Sequence, residues 1–173
     1  MRNKRAIAST LLAALLLCGL PVHAGTTKIE ITVSPKRQNG EKKQAGSVTK
    51  EETLFQYNVK LANDSFAAVN GLSAQYRIFI RDDSGKGAIS QQKLKRQEFS
   101  TAIPDMPNGG KYAFDTEPVT LEKSTLDGSR YYINGSRNRS EDTVAGVWIR
   151  ILQGDKVVGE YINPSTLAAK EKF

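Results

Sequence analysis

Along most of the chain hydrophobic residues recur at every second position, the period of a half-buried β-strand and not of a helix. Lys28 to Ser34 sets Ile29, Ile31 and Val33 on one side and Lys28, Glu30, Thr32 and Ser34 on the other. Leu54 to Ala62 brings Phe55, Tyr57, Val59 and Leu61 together. Leu72 to Arg81 turns Leu72, Ala74, Tyr76, Ile78 and Ile80 inward, against Ser73, Gln75, Arg77, Phe79 and Arg81 outward. Such alternation predicts antiparallel sheets with one wet face. Near the end, Thr143 to Leu152 and Lys156 to Asn163 flank Gly154-Asp155, a hairpin signal. Trp148, the single tryptophan, is expected to anchor the core with Tyr57 and Tyr76.

The remaining segments carry weaker patterns. Leu94 to Thr101 mixes Lys95, Arg96 and Glu98 with Leu94 and Phe99, as a charged edge strand does. Pro104, Pro107, Asn108, Gly109 and Gly110 punctuate a loop. Tyr112 to Phe114 and Val119 to Leu126 read as one strand interrupted at Pro118, another edge, and Asp127-Gly128 as a tight turn into Arg130 to Ile133. Pro35 to Glu52, rich in Lys, Gln and Gly, and Asn134 to Asp142 are expected to be mobile polar loops. Ser165 to Phe173 favours a short helical tail capped by Ser165 or Thr166. Seven or eight short strands predict an all-β fold, an antiparallel sandwich spanning residues 25–164 with the tail over 165–173.

The first twenty-four residues change the picture of where such a domain works. Arg2, Lys4 and Arg5 precede an apolar run from Ala6 to Leu20, and Val22-His23-Ala24 offers a small-x-small cut before Gly25, the order of a cleaved signal peptide. The run is about fifteen residues, short for a membrane span of roughly twenty. Lipidation at Cys18 is the alternative processing, with Leu17 standing where a small residue is wanted. Cleavage after Ala24 predicts an exported protein, in the periplasm, at the outer membrane surface or outside the cell. No second hydrophobic span follows residue 24. The chain's net charge of +7 falls to +4 without the leader, and that mild basicity suits anionic envelope surfaces or glycans better than nucleic acid.

The leader also removes the only cysteine and the only histidine. Nucleophile–histidine catalysis and His- or Cys-ligated zinc are thereby excluded from the processed chain. Two Ser-x-x-Lys tetrads remain, Ser47 to Lys50 and Ser90 to Lys93, without the companion motifs of serine acyl-transferases and without a predicted helix. Glu51-Glu52, Asp82-Asp83 and Glu141-Asp142 are neighbours that an extended backbone points to opposite sides, unlike the facing acids of a glycosidase. Asp82-Asp83-Ser84-Gly85 lacks the spaced ligands of a calcium loop and reads as a turn. The expected function is therefore non-enzymatic, with no cofactor and no metal.

In order, the stretches FQYNVKLANDS, LSAQYRIFIRDD and VWIRILQGDKVVGEYINP resemble the B, C, F and G strands of an immunoglobulin-like domain, across most of Lys28 to Pro164. The chain also resembles the small exported immunoglobulin-like proteins of pilus-associated envelope loci in Gram-negative gut bacteria. That resemblance implies an interaction role at the envelope or on an appendage, with an envelope or appendage protein as partner. The chain departs from antibody-type domains in lacking the cysteine pair, and its leader is not that of a type IV prepilin. Chaperone-assembled pilus subunits, whose fold is completed by a donated strand, are a more distant likeness. Thr27 to Ser34 is then either a donated strand tethered by Pro35 to Glu52 or the domain's own first strand, the plainer reading. For a protein partner the candidate contacts are Lys36, Arg37, Lys42 and Lys43, with Arg137 and Arg139 in the segment Arg137 to Asp142. For an envelope or mucus glycan, the second functional reading, the candidates are outward Phe79 and Tyr131 or Tyr132.

Overall fold

The computed structural model describes residues 27–83, 93–126 and 139–173. The expected leader, the expected turn at Asp127-Gly128, Tyr131, Tyr132 and Arg137 lie outside the described residues. The described chain forms nine strands: β1 (Ile29–Ala45), β2 (Val48–Asn63), β3 (Leu72–Asp82), β4 (Lys93–Ile103), β5 (Lys111–Asp115), β6 (Val119–Leu126), β7 (Arg139–Glu141), β8 (Thr143–Gln153) and β9 (Lys156–Asn163). A single helical turn, α1 (Leu167–Lys170), follows. One antiparallel sheet runs β1-β2-β6-β7, with β5 also on β2, and the other runs β4-β3-β8-β9. The stretches likened to strands C, F and G thus lie side by side, and the B-like strand β2 sits in the opposite sheet, as in an immunoglobulin-like sandwich.

Alternation places the core where it was expected. Phe55, Tyr57, Val59 and Leu61 of β2 meet Leu72, Ala74, Tyr76, Ile78 and Ile80 of β3 and Val147, Ile149 and Ile151 of β8, all buried. β4 is an edge strand, and β8 and β9 form the hairpin around Gly154-Asp155. The interruption at Pro118 is also present: β5 pairs with Asn58 to Ala62 and β6 with Val48 to Phe55, so the two divide the length of β2. In the gap the buried Thr116 hydroxyl accepts the Tyr57 amide at 2.9 Å, replacing a missing ladder bond.

Three expectations are corrected. Pro35 to Glu52 is not a loop: β1 continues through Ala45 and returns as β2, with Ala45 opposite Val48. Gly46 takes φ 63° at the first position of that two-residue turn, which glycine alone adopts without strain. Pro35 is tolerated because β1 is an edge strand. Asn134 to Asp142 is not wholly a loop either, since Arg139 to Glu141 forms β7 on β6. Finally, Phe79 is fully buried although it faces away from the main core. It packs with Trp148 and Leu167 in a second cluster, closed by Ile162 and Phe173, where the tail lies across the outer face of the β3–β8 sheet. Trp148 is therefore buried as expected but in this outer cluster. β1 pairs with β2 of its own chain, so Ile29 to Ser34 belongs to the domain's own first strand.

Candidate functional site

Each sheet ends differently. Asp142, between β7 and β8, is the crossing point: its amide donates to the Glu122 carbonyl at 2.9 Å, and its carboxylate accepts the Asp83 amide at 3.1 Å and the Glu122 amide at 3.4 Å. Among the described residues the β3–β8 ladder ends here, level with Glu122 and its partner Glu52. The other sheet continues past this line to Ala45, Val48 and Leu126, roughly 13 Å at the rise of a strand. Every residue from Ser34 to Gly46 is exposed, so on β1 both faces of the projection meet solvent.

This projecting sheet carries the candidate cations. Lys42 lies opposite Glu51 of β2, Glu51 opposite Lys123 of β6, and Lys123 opposite Glu141 of β7, so charges alternate in one row across four strands. Lys123 and Glu51 approach to 3.4 Å, and Arg139 pairs with Glu141. Lys43 pairs with Glu41 at 2.6 Å. That contact lowers the Glu41 carboxyl below its ordinary value and raises the Lys43 ammonium. On the opposite face Lys36 reaches Asp115 at 2.8 Å, and Asn58 donates to the same carboxylate at 2.7 Å. The Lys36 contact first and the Asn58 bond second hold Asp115 below the usual carboxylate range. Arg37 stacks over Phe55 with 5.7 Å between guanidinium and ring.

The two segments singled out as basic are thus on one sheet, joined by β2 and β6. The region is not a basic patch, because Glu41, Glu51, Glu52, Glu122 and Glu141 interleave with its cations. Exposed ion pairs of this kind add little stability each; they fix a pattern of charge. Two shallow clefts open along the Glu52–Glu122 line, where the projection begins. One of about 260 Å³ is bounded by Lys50, Glu52, Glu122, Ser124, Ser140 and Asp142, and one of about 120 Å³ by Arg37, Thr53, Leu121, Lys123 and Glu141. Asp142, the last residue of the candidate segment, is central here together with Glu51 and Lys123, which the sequence did not single out as contacts. Only their register across strands reveals them.

The other candidates fare differently. Buried Phe79 offers no ring to a sugar. Ser47 and Lys50 stand on a turn and a strand, so no helical turn joins them, and Ser90 lies outside the described residues. Glu51 and Glu52 do face opposite sides, Glu51 partly buried and Glu52 exposed. Asn63, in the glycosylation-like triplet Asn63-Asp64-Ser65, is buried with its amide hydrogen-bonded to chain carbonyls. Among the described residues no three His, Cys, Asp or Glu side chains are grouped to hold a metal, and no helix is long and apolar enough to cross a membrane.

On the outer face of the other sheet, Phe173 meets Trp148 edge-on at 5.2 Å and lies between Arg77 and Arg150, at 4.4 and 4.3 Å from its ring. Arg77 also donates to the Lys172 carbonyl. Glu160 accepts from Arg150 Nε at 2.7 Å and from the Trp148 indole at 2.9 Å, and these two bonds, in that order, lower its carboxyl. Beside Phe173 an open groove of about 550 Å³ runs past Gln75, Arg77, Glu98, Ser100 and Arg150.

No family model matches the chain, and no curated protein does. Two solved structures are similar to it in part. A crystal structure of a protein from Akkermansia muciniphila is 11% identical, with 81% of this chain and 72% of that one aligned at a TM-score of 0.37. An X-ray structure of a structural-genomics target is 14% identical, with 83% of this chain and 94% of that one aligned at a TM-score of 0.32. At these scores neither likeness bears on function.

Proposed function

We propose that the chain is a non-enzymatic, exported interaction module of the cell envelope, associated with surface or pilus assembly, whose β1–β2 projection meets a protein partner. The observation that carries this reading is the projection itself: a paired hairpin, exposed on both faces of β1, that runs past the described end of the β3–β8 ladder with its charges in one row. Order of this kind lowers the entropy cost of docking relative to a flexible loop. Alternating signs favour a protein face of complementary pattern over a uniformly anionic glycan. The glycan reading has also lost Phe79 as its platform.

Asp115 and Glu160 are each paired with a cation that lowers the carboxyl. The test is capture by cross-linking on intact cells that export the chain, comparing the parent with Lys42→Glu/Lys43→Glu/Lys50→Glu. All three side chains are exposed, so the fold is expected to survive. A discrete protein product from the parent that falls at least about tenfold in the variant supports the reading. Equal capture by both would remove the projection as the contact.

A further inference from the structure

At the opposite end of the sandwich, the connection from β2 to β3 is built around a buried side chain. Asn63 Nδ2 donates to the carbonyls of Ala67, Met106 and Pro107 at 2.9, 3.1 and 2.9 Å, and Asn63 Oδ1 accepts the Ser65 amide at 2.9 Å. Its backbone exchanges bonds with Gly110 and Gly109, and a Val69–Met106 bridge closes the loop. Such a network uses both ends of the amide and leaves the loop little freedom. Yet the residue it presents, Phe66, is 98% exposed. Its neighbours Ala67 and Ala68 are exposed and small, so the ring stands clear on all sides. A ring used for stacking keeps one face packed on its own protein; a bare ring on a rigid loop is a knob for a hollow.

A hollow of matching character lies at the same end of the molecule. On the outer face of the β1-β2-β5 sheet the cross-strand rows are Thr32, Lys60, Ala113 and Glu30, Ala62, Lys111. The two alanines leave a valley of about 390 Å³ walled by the longer side chains. Its rim carries Lys60 and Lys111 with the single carboxylate Glu30, whereas the knob is flanked by exposed Asp64. Knob and valley are close neighbours in the fold, since Ala62 stands four residues before Phe66 and Lys111 follows the Gly110 that bonds Asn63.

We propose that the occupant of this valley is Phe66 of a second copy, in a two-fold contact where each copy inserts its knob into the other and sets Asp64 against Lys60 and Lys111. A self-complementary patch of this kind closes as a dimer. With one aromatic anchor per copy it is a small interface, and association in the range of roughly 0.1–1 mM is expected. This inference stands apart from the proposed role of the β1–β2 projection, which lies at the other end.

The experiment is sedimentation velocity on the chain without its leader, from about 10 µM to 1 mM at low salt, for the parent, Phe66→Ser and Ala113→Arg. Both substitutions fall on exposed positions, and circular dichroism checks the fold. The parent is expected to pass from monomer to dimer with concentration, and each variant to weaken the dimer at least about tenfold. Salt near 1 M, which screens charges beyond about 3 Å, weakens the parent as well. A parent that stays monomeric at 1 mM, or a Phe66→Ser protein that dimerises like the parent, overturns the proposal. A monomeric parent that instead binds phosphatidylglycerol vesicles through Phe66 also overturns it, in favour of a lipid surface.

Discussion

Gly146 sits where the second cluster is most easily disturbed. It pairs with Phe79 at the bulge in the β3–β8 ladder, directly under the end of β9 and the start of the tail. A Cβ placed there would stand 2.3 Å from the Asn163 carbonyl oxygen, 2.5 Å from Leu167 Cδ1 and 2.7 Å from Pro164 Cδ. The side-chain carbon of Leu167 can turn away, but the Asn163 oxygen is backbone and must retreat by roughly 1 Å, taking Pro164 with it. Overpacking of this kind costs about 1–3 kcal/mol, offset in part by the lower entropy of the unfolded chain when alanine replaces glycine. For a domain of this size that lowers Tm by about 3–10 °C. Trp148 shares the cluster with Leu167 and Phe173, so its emission reports the tail lifting. Gly146→Ala is expected to melt early with red-shifted emission. Leu167→Ala in the same chain is expected to cost less than it does alone, since one clash is already gone. A Gly146→Ala protein that melts within 1 °C of the parent, with unchanged emission, would refute the packing described for the tail.

Three further outcomes follow from single groups. Thr116→Val leaves the buried Tyr57 amide without its 2.9 Å acceptor and should cost about 1–3 kcal/mol in urea unfolding, whereas Thr116→Ser should cost less. Glu160 is lowered by Arg150 and the Trp148 indole, so its contribution is present above the ordinary glutamate value of 4.5 and is lost as pH falls through its depressed value. Trp148 emission should therefore change on acidification below 4.5 and be flat over the same step in Glu160→Gln. Burial, with Tyr161 second, pushes the Tyr57 hydroxyl up to about 12 from 10.0. Stability should accordingly fall as pH rises from 10 through 12, and absorbance near 295 nm should show a late tyrosine ionisation that shrinks in Tyr57→Phe; a late phase unchanged by Tyr57→Phe would count against that burial.

How far the fold could be read depended on whether apolar residues declared a face. β2 and β3 did, at Phe55 to Leu61 and Leu72 to Ile80, and their cores are where alternation put them. Residues 36–45 declare no face, because both sides of β1 are wet there and backbone pairing with β2 holds the strand. The available signal was the Gly46-Ser47 turn, which has the same glycine-first form as Gly154-Asp155. Without alternation on its first arm it passed for part of a loop. Phe79 shows the converse limit: periodicity correctly sent it outward, but only the distant Leu167 and Phe173 decide that the outward face is covered. The candidate cations were legible one at a time, while the row from Lys42 through Glu51 and Lys123 to Glu141 depends on register and has no trace in sequence spacing.

The most direct test of the projection as the working surface is to map where on the chain a partner is linked. A lysine-reactive cross-linker applied to intact exporting cells, followed by mass spectrometry of the linked peptides, gives that map without any substitution. The account predicts links to a foreign protein at Lys42, Lys43 and Lys50 of the β1–β2 hairpin. Links confined to Lys60, Lys95, Lys111 or Lys156 on the body of the sandwich, or no link to any foreign protein, would contradict it.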